Sequence, residues 1–193
     1  IHLFGKKYEW NSDESGMVGD FDTSEISKII SEISFVLGDT QNTNSMIDLL
    51  RSCYKDNSLS DATRLLVNEL FGKYGIVILD ANDKELKKQL LPIIKRDVLH
   101  QELSPIISEN TSSFSENYKP QAIVRNVNFF KLSEGKRERI QEVILEEEIE
   151  NNPEIFSPNV LMRPLYQELI LPNLAYIGGG AEVAYFMQLK TAF

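Results

Sequence analysis

The stretch GIVILDAND, residues 75–83, decides the predicted fold. Four consecutive apolar residues, rich in β-branched side chains, follow a glycine and end at an Asp/Asn turn. A run of this kind predicts a strand that is buried on both faces, as in a parallel sheet. The turn then caps a predicted helix from about Lys84 to Gln101, which is kinked or offset at Pro92. Asp80 lies at the carboxyl end of the strand, where it either contacts a ligand or belongs to the capping turn.

Helices are predicted on both sides of this strand. Apolar residues recur at helical spacing in residues 23–38, 44–54, 60–75 and 102–117. Cys53 falls on the apolar side of the second of these segments and is therefore expected in the core. The order of helix, buried strand, polar turn and helix is typical of an α/β doubly wound fold, whose ligands bind outside the carboxyl ends of the strands.

The pattern changes after residue 118, where a small β insertion is predicted. Residues 119–132 are expected to be extended, residues 133–135 to form a turn and residues 136–140 to return as a strand. An acidic helix follows at residues 146–150. The polar residues of the first arm either line a cleft or form the wet face of a hairpin; they are Gln121, Arg125, Asn126 and Asn128.

The stretch FSPNVLMRPLYQE, residues 156–168, carries the first group of candidate site residues. A proline with fixed φ holds the amide of Asn159 in place, and a second proline suits the first turn of a helix. On that helix Arg163 and Gln167 share one side, with Glu168 next to them. A fixed guanidinium beside an amide suits a carboxylate or phosphate, although Arg163 could equally pair with an internal glutamate.

A glycine loop carries the second group of candidate site residues. Residues 174–177 predict a short strand, and Gly178, Gly179 and Gly180 lead from it into a helix that starts near Glu182. Backbone N–H groups at such a loop and the helix dipole favour an anion. The carboxylate of Glu182 argues against a naked phosphate there and favours an ammonium or hydroxyl group.

Composition and charge restrict the possible functions. The chain has 193 residues and a formal net charge of −9, which opposes a general attraction to nucleic acids or anionic membranes. One cysteine excludes an internal disulfide and fits a reducing, cytoplasmic location. The only histidines, His2 and His100, have no second ligand at metal spacing, so no metal is expected. The start at Ile1 and the end inside a helical pattern suggest a piece of a longer protein.

Several of these motifs together resemble one enzyme family. The segments at residues 156–160, 163–168 and 171–182 are similar to the cysteine-adding enzyme family of bacillithiol biosynthesis. Tyr118-Lys119-Pro120, the turn at residues 79–83, Tyr185 and Leu189-Lys190 resemble the same family. The resemblance covers all 193 residues, which would form the central part of a chain more than twice as long.

The resemblance implies a Rossmann-like parallel sheet with helices on both faces and a small β-containing connecting insert. Residues 1–104 would belong to the core, residues 105–156 to the insert and residues 157–193 again to the core. It also implies a coiled coil outside this chain that promotes a homodimer. The activity implied is a ligase reaction that joins cysteine to glucosaminyl-malate in the cytoplasm, for which this piece alone would be inactive.

Two other functions fit the same residues. One is a Rossmann-type nucleotidyl-transferase that uses ATP, and the other is a non-catalytic module whose acidic surface binds a basic partner. A nucleotide such as ATP or ADP is therefore an open cofactor, and the residues assign no catalytic acid or base. The site residues predicted for a substrate are Asp80, Asn159, Arg163, Gln167, Glu168, Gly178, Gly179, Gly180 and Glu182.

Overall fold

A computed structural model of the chain describes residues 1–14, 16–133 and 135–193. The chain divides into two compact units, Ile1–Asp80 and Ala81–Phe193. Within the described ranges, no helix is long and apolar enough to cross a membrane. The first unit is mostly helical, and the second combines helices with a three-stranded sheet.

The first unit is a small helical assembly that follows a short hairpin. Strands β1 (His2–Leu3) and β2 (Lys6–Lys7) pair antiparallel. Helices α1 (Ile26–Leu37), α2 (Gln41–Tyr54) and α3 (Leu59–Phe71) follow, as the apolar spacing predicts.

Local side chains fix the helix starts in this unit. Hydroxyl groups cap α2 and α3, since Thr40 accepts a hydrogen bond from the N–H of Thr43 and Ser58 accepts one from the N–H of Asp61. The core consists of Tyr8, Ile30, Ile33 and Ile47, and Cys53 is buried in α2 as predicted.

The buried strand predicted at residues 76–79 is wrong. The segment has no regular structure, and Ile76, Val77 and Leu79 are 45%, 67% and 41% exposed. A strand needs neighbouring strands to satisfy its backbone, and among the described residues none pairs with this one. Asp80, placed at its end, accepts a 2.5 Å hydrogen bond from the hydroxyl of Ser60 in the same unit.

The second unit begins with the helix predicted after the turn, in broken form. Asp83 caps it by accepting hydrogen bonds from the N–H groups of Glu85 and Leu86. The helix is divided into α4 (Lys84–Gln89), α5 (Leu91–Ile94) and a π-helical turn at Lys95–Leu99; the break falls at Leu90, and Pro92 lies in the first turn of α5. Helix α6 spans Leu103–Ser115.

A three-stranded antiparallel sheet then forms from β3 (Phe129–Ser133), β4 (Lys136–Arg139) and β5 (Phe156–Pro158), with β3 in the middle. The predicted hairpin is therefore present, although Glu134 of its turn lies outside the described residues. Phe130 lies opposite Arg139 on one side and opposite Ser157 on the other.

The predicted parallel sheet is not observed. All strand pairs in the described part of the chain are antiparallel. For β1–β2 and β3–β4 this follows from the short connections, which cannot join parallel strands. The strand predicted at residues 174–177 is also wrong, since the segment has no regular structure and Leu174 and Ile177 are almost fully exposed.

The remaining helices of this unit are α7 (Glu146–Asn151), α8 (Met162–Ile170) and α9 (Gly180–Met187). The acidic helix and the helix with Pro164 in its first turn were both predicted. Fully buried side chains of this unit form one core, which includes Leu90, Ile94, Leu103, Ile107, Ile149, Phe156, Leu161, Met162 and Leu189.

Candidate functional site

Asn159 fixes the start of α8. Its side-chain oxygen accepts hydrogen bonds from the N–H groups of Leu161 (2.8 Å) and Met162 (3.1 Å). Its backbone oxygen accepts from the N–H of Arg163 at 3.0 Å. The polar group that the sequence assigned to substrate is therefore committed to capping the helix that carries Arg163.

Two buried polar residues, Asp97 and Asn128, hold the side chain of Asn159 in place. Asp97, on the π-helical turn, is fully buried and accepts hydrogen bonds from the backbone N–H (2.5 Å) and side-chain nitrogen (3.0 Å) of Asn128. The side-chain oxygen of Asn128 in turn accepts from the side-chain nitrogen of Asn159 at 3.1 Å. Burial raises the pKa of Asp97 from 3.8 to about 6, against the opposing effect of the two hydrogen bonds from Asn128.

The three polar residues predicted on α8, which are Arg163, Gln167 and Glu168, have different surroundings. Arg163 is exposed on the first turn, and Gln167 is half-buried one turn later on the same side. Glu168 accepts hydrogen bonds from the backbone N–H (2.8 Å) and side chain (3.0 Å) of Asn173, so it fastens the chain after the helix. Over the ranges that the structure describes, no carboxylate forms an ion pair with Arg163, so the internal pairing considered from the sequence is not seen.

The hairpin carries two further arginines, Arg137 and Arg139, which the sequence analysis did not single out. The guanidinium of Arg137 lies 3.7 Å from the ring centre of Phe130, and that of Arg139 lies 5.0 Å from it. Arg137 also donates to the hydroxyl of Ser157 (3.0 Å) and to the carbonyl of Pro158 (2.8 Å). Partial burial lowers the pKa of Arg137, and the positive charges of Arg163 and Arg139 lower it further.

The glycine loop closes on itself through Glu182. The carboxylate of Glu182 accepts a hydrogen bond from the N–H of Gly179 at 3.1 Å, at the start of α9. A side chain at Gly178 would come within 2.6 Å of the ring of Tyr176, which explains the absence of a Cβ there. Gly180 is the first residue of α9.

Tyr185 connects the glycine loop electrostatically with α8. Its pKa is raised by burial and by the negative charge of Glu182, and the positive charge of Arg163 opposes this rise. Tyr185 is therefore influenced by a negative charge on α9, that of Glu182, and by a positive charge on α8, that of Arg163. Such a pair of opposite charges suits a ligand that carries an anionic end and an amine or hydroxyl end.

An open groove of about 820 Å³ adjoins the hairpin in the same unit. Apolar residues such as Val98, Val127 and Phe129 line it together with polar ones, and Arg125, Arg139 and Glu142 contribute charge. Arg139 therefore borders both this groove and the ring of Phe130. Within the described residues, no group of Cys, His, Asp and Glu side chains is placed to hold a metal ion.

The described residues combine helices with antiparallel sheets, and the positive charge of Arg163 on α8 and the negative charge of Glu182 at the glycine loop both act on Tyr185. All 193 residues match the family described as bacillithiol biosynthesis BshC, N-terminal Rossmann-like domain. The chain therefore belongs to this family, and the resemblance read from its motifs is confirmed.

Relatives support the same assignment. A protein of Flavobacterium johnsoniae named "Putative cysteine ligase BshC" is 41% identical over 98% of this chain and 39% of its own length. Proteins of the same name from Christiangramia forsetii and Bacillus velezensis are 38% and 28% identical, over 100% and 90% of this chain and 40% and 36% of their own lengths. The chain thus spans about two fifths of the length of the curated relatives it matches.

Proposed function

We propose that this chain is part of a ligase of bacillithiol biosynthesis that joins cysteine to glucosaminyl-malate. The observation that carries the proposal is the match of all 193 residues to the BshC Rossmann-like domain family, together with 41% identity to a relative named as a cysteine ligase. The reaction forms a carbon–nitrogen bond between the cysteine carboxyl group and the sugar amine. The complete activity belongs to the full-length protein, because the relatives are more than twice as long as this chain.

The polarity of the site fits the proposed substrate. Glucosaminyl-malate has carboxylates at one end and an amine with hydroxyl groups at the other. Arg163 is exposed and, among the described residues, has no carboxylate partner, so it can bind an oxyanion. The negative charge of Glu182 also acts on Tyr185, and we propose that this carboxylate, which accepts a hydrogen bond from the N–H of Gly179, meets the amine or hydroxyl end.

The predicted site residues support this proposal in different ways. Arg163 and Gln167 are proposed to contact the substrate directly, and the backbone of Gly178, Gly179 and Gly180 is proposed to border it. Asn159 holds the start of the helix that carries Arg163, so its part is positioning.

The energy source and the assembly of the full-length protein complete the proposal. A free carboxylate does not condense with an amine spontaneously in water, so we propose that a nucleotide such as ATP activates it, without a metal held by this chain. Release of ADP or of pyrophosphate during turnover would identify the kind of activation. We also propose a cytoplasmic homodimer, which light scattering of the full-length protein checks.

Calorimetric titration of the full-length protein with glucosaminyl-malate tests the role of Arg163. We expect Arg163→Ala to weaken binding by about 10-fold or more, the size of one charge-assisted hydrogen bond. The control is Arg96→Ala, which removes an exposed arginine whose ion pair with Glu102 contributes little. Equal affinity of Arg163→Ala and the control would contradict the proposed role.

A further inference from the structure

The outer face of the hairpin carries a fixed guanidinium. Side chains alternate along a strand, so Arg137 and Arg139 of β4 lie on the same face, and the register places Phe130 of β3 on that face as well. Arg137 lies over the ring of Phe130 and is fastened to β5 through Ser157 and Pro158. A guanidinium carries more N–H donors than these two contacts use, so others stay available to a ligand.

The chain after β5 brings Arg163 to the same place. Pro158, whose carbonyl binds Arg137, is followed by Asn159, whose carbonyl accepts the N–H of Arg163. The positive charges of Arg163 and Arg139 both lower the pKa of Arg137. Arg137 therefore lies in the field of two further positive charges, that of Arg139 on β4 and that of Arg163 on α8.

Among the described residues, no acidic side chain compensates the charges of these three arginines. The sequence contains 29 acidic and only 20 basic residues, so carboxylate partners are plentiful. The basic residues Lys95 and Lys131 of the same unit each pair with two glutamates. In the part of the chain that the structure describes, by contrast, no carboxylate pairs with Arg137, Arg139 or Arg163. Like charges held together without an acid raise the free energy of the site, and a bound anion would lower it.

We propose that Arg137 and Arg139 join Arg163 to bind the carboxylates of the malate end of the substrate. The inference rests on the proposed function and deepens it, because it assigns the anionic end of the substrate to the hairpin as well as to α8. Phe130 holds the two hairpin guanidinium groups in place, and the planar fork of Arg137 suits bidentate binding of a carboxylate. The phosphate of a nucleotide offers similar oxygen atoms, so the test separates the two sources.

Titration calorimetry of the full-length protein with three separate probes tests this site: glucosaminyl-malate, malate alone and ADP. The variants are Arg137→Gln, Arg139→Gln and Arg163→Gln, each with circular dichroism to confirm folding. The control is Lys136→Gln, which removes the same charge from the neighbouring exposed position on the other face of β4. Arg139→Gln and Arg163→Gln carry the test alone if Arg137→Gln fails to fold, because Arg139 and Arg163 are both exposed.

We expect each arginine variant to weaken the binding of glucosaminyl-malate and of malate by about 10-fold or more, while the control changes these affinities by less than about 3-fold. Unchanged binding of glucosaminyl-malate in folded Arg139→Gln and Arg163→Gln would overturn the assignment and leave the proposed function standing. If the variants lose affinity for ADP alone, the assignment to the malate carboxylates is also overturned, because the three arginines would then bind phosphate. If malate binds and is lost in the variants while glucosaminyl-malate never binds, the anion site stands and the proposed function fails.

Discussion

The buried carboxylate of Asp97 should make the protein less stable as the pH rises. Asp97 is fully buried, and its two hydrogen bonds from Asn128 do not offset the loss of water around the charge. Its pKa is therefore raised from 3.8 to about 6. Between these two values the folded state binds more protons than the unfolded state, so the free energy of unfolding falls as pH rises through this window.

The size of the effect follows from the two pKa values. The difference between 3.8 and about 6 corresponds to roughly 3 kcal/mol over the whole window. Between about pH 4.5 and pH 7, within which most of the window falls, the expected loss is about 2 kcal/mol. Asp97→Asn removes the titration but keeps the shape of the side chain. It disturbs a hydrogen bond to Asn128 at every pH, so it changes the level of stability but not its slope with pH.

Urea unfolding followed by circular dichroism, at several pH values across this range, measures the slope. Between about pH 4.5 and pH 7, the free energy of unfolding of the wild-type chain should fall by about 2 kcal/mol more than that of Asp97→Asn. Glu109→Gln, which neutralises an exposed carboxylate on α6, should keep the wild-type slope. Parallel curves for wild type and Asp97→Asn would refute the reasoning.

Three further predictions concern stability and use urea unfolding at neutral pH. Asn159→Ala should cost about 1–2 kcal/mol because it uncaps α8, whereas Asn126→Ala at an exposed position should cost little; equal losses would contradict the cap. Gln188→Leu should lower the free energy of unfolding by about 2 kcal/mol or more, because the side-chain oxygen of buried Gln188 accepts hydrogen bonds from two backbone N–H groups that would lose their partner. An unchanged urea midpoint would refute this. Ile149→Ala should cost about 2–5 kcal/mol through a core cavity, against near zero for Val143→Ala at 91% exposure; similar values for both would place Ile149 outside the core.

Features set by nearby residues could be predicted from the sequence. The helices were found because apolar spacing and capping side chains act within one or two turns, as the hydroxyl of Ser58 at the start of α3 shows. The hairpin was found for the same reason, since its arms are joined by a short turn. Arg163 and Gln167 were placed correctly on one helix because their spacing alone decides it.

Features that depend on distant partners could not be predicted. The apolar runs at residues 76–79 and 174–177 have strand composition, but a strand exists only with a neighbour to pair with, and none is found for them among the described residues. Asn159 was assigned to a ligand because its contacts with Asn128 and the helix start are invisible in a linear pattern.

The basic cluster also depended on partners far along the chain. The alternation of Arg137 and Arg139 was a usable signal, since residues two apart share a strand face. Their meeting with Arg163 depends on β5 pairing with β3, which no local rule supplies.

The central claim is that the full-length protein adds cysteine to glucosaminyl-malate and needs Arg163 to do so. Bacillithiol and glucosaminyl-malate should be measured by mass spectrometry in cells that lack this protein and in cells that regain it, as wild type or as Arg163→Gln. Wild type is expected to restore bacillithiol and consume glucosaminyl-malate, whereas folded Arg163→Gln should leave the precursor to accumulate. Accumulation of glucosaminyl-malate despite abundant, folded wild-type protein, or full restoration by Arg163→Gln, would contradict the central claim.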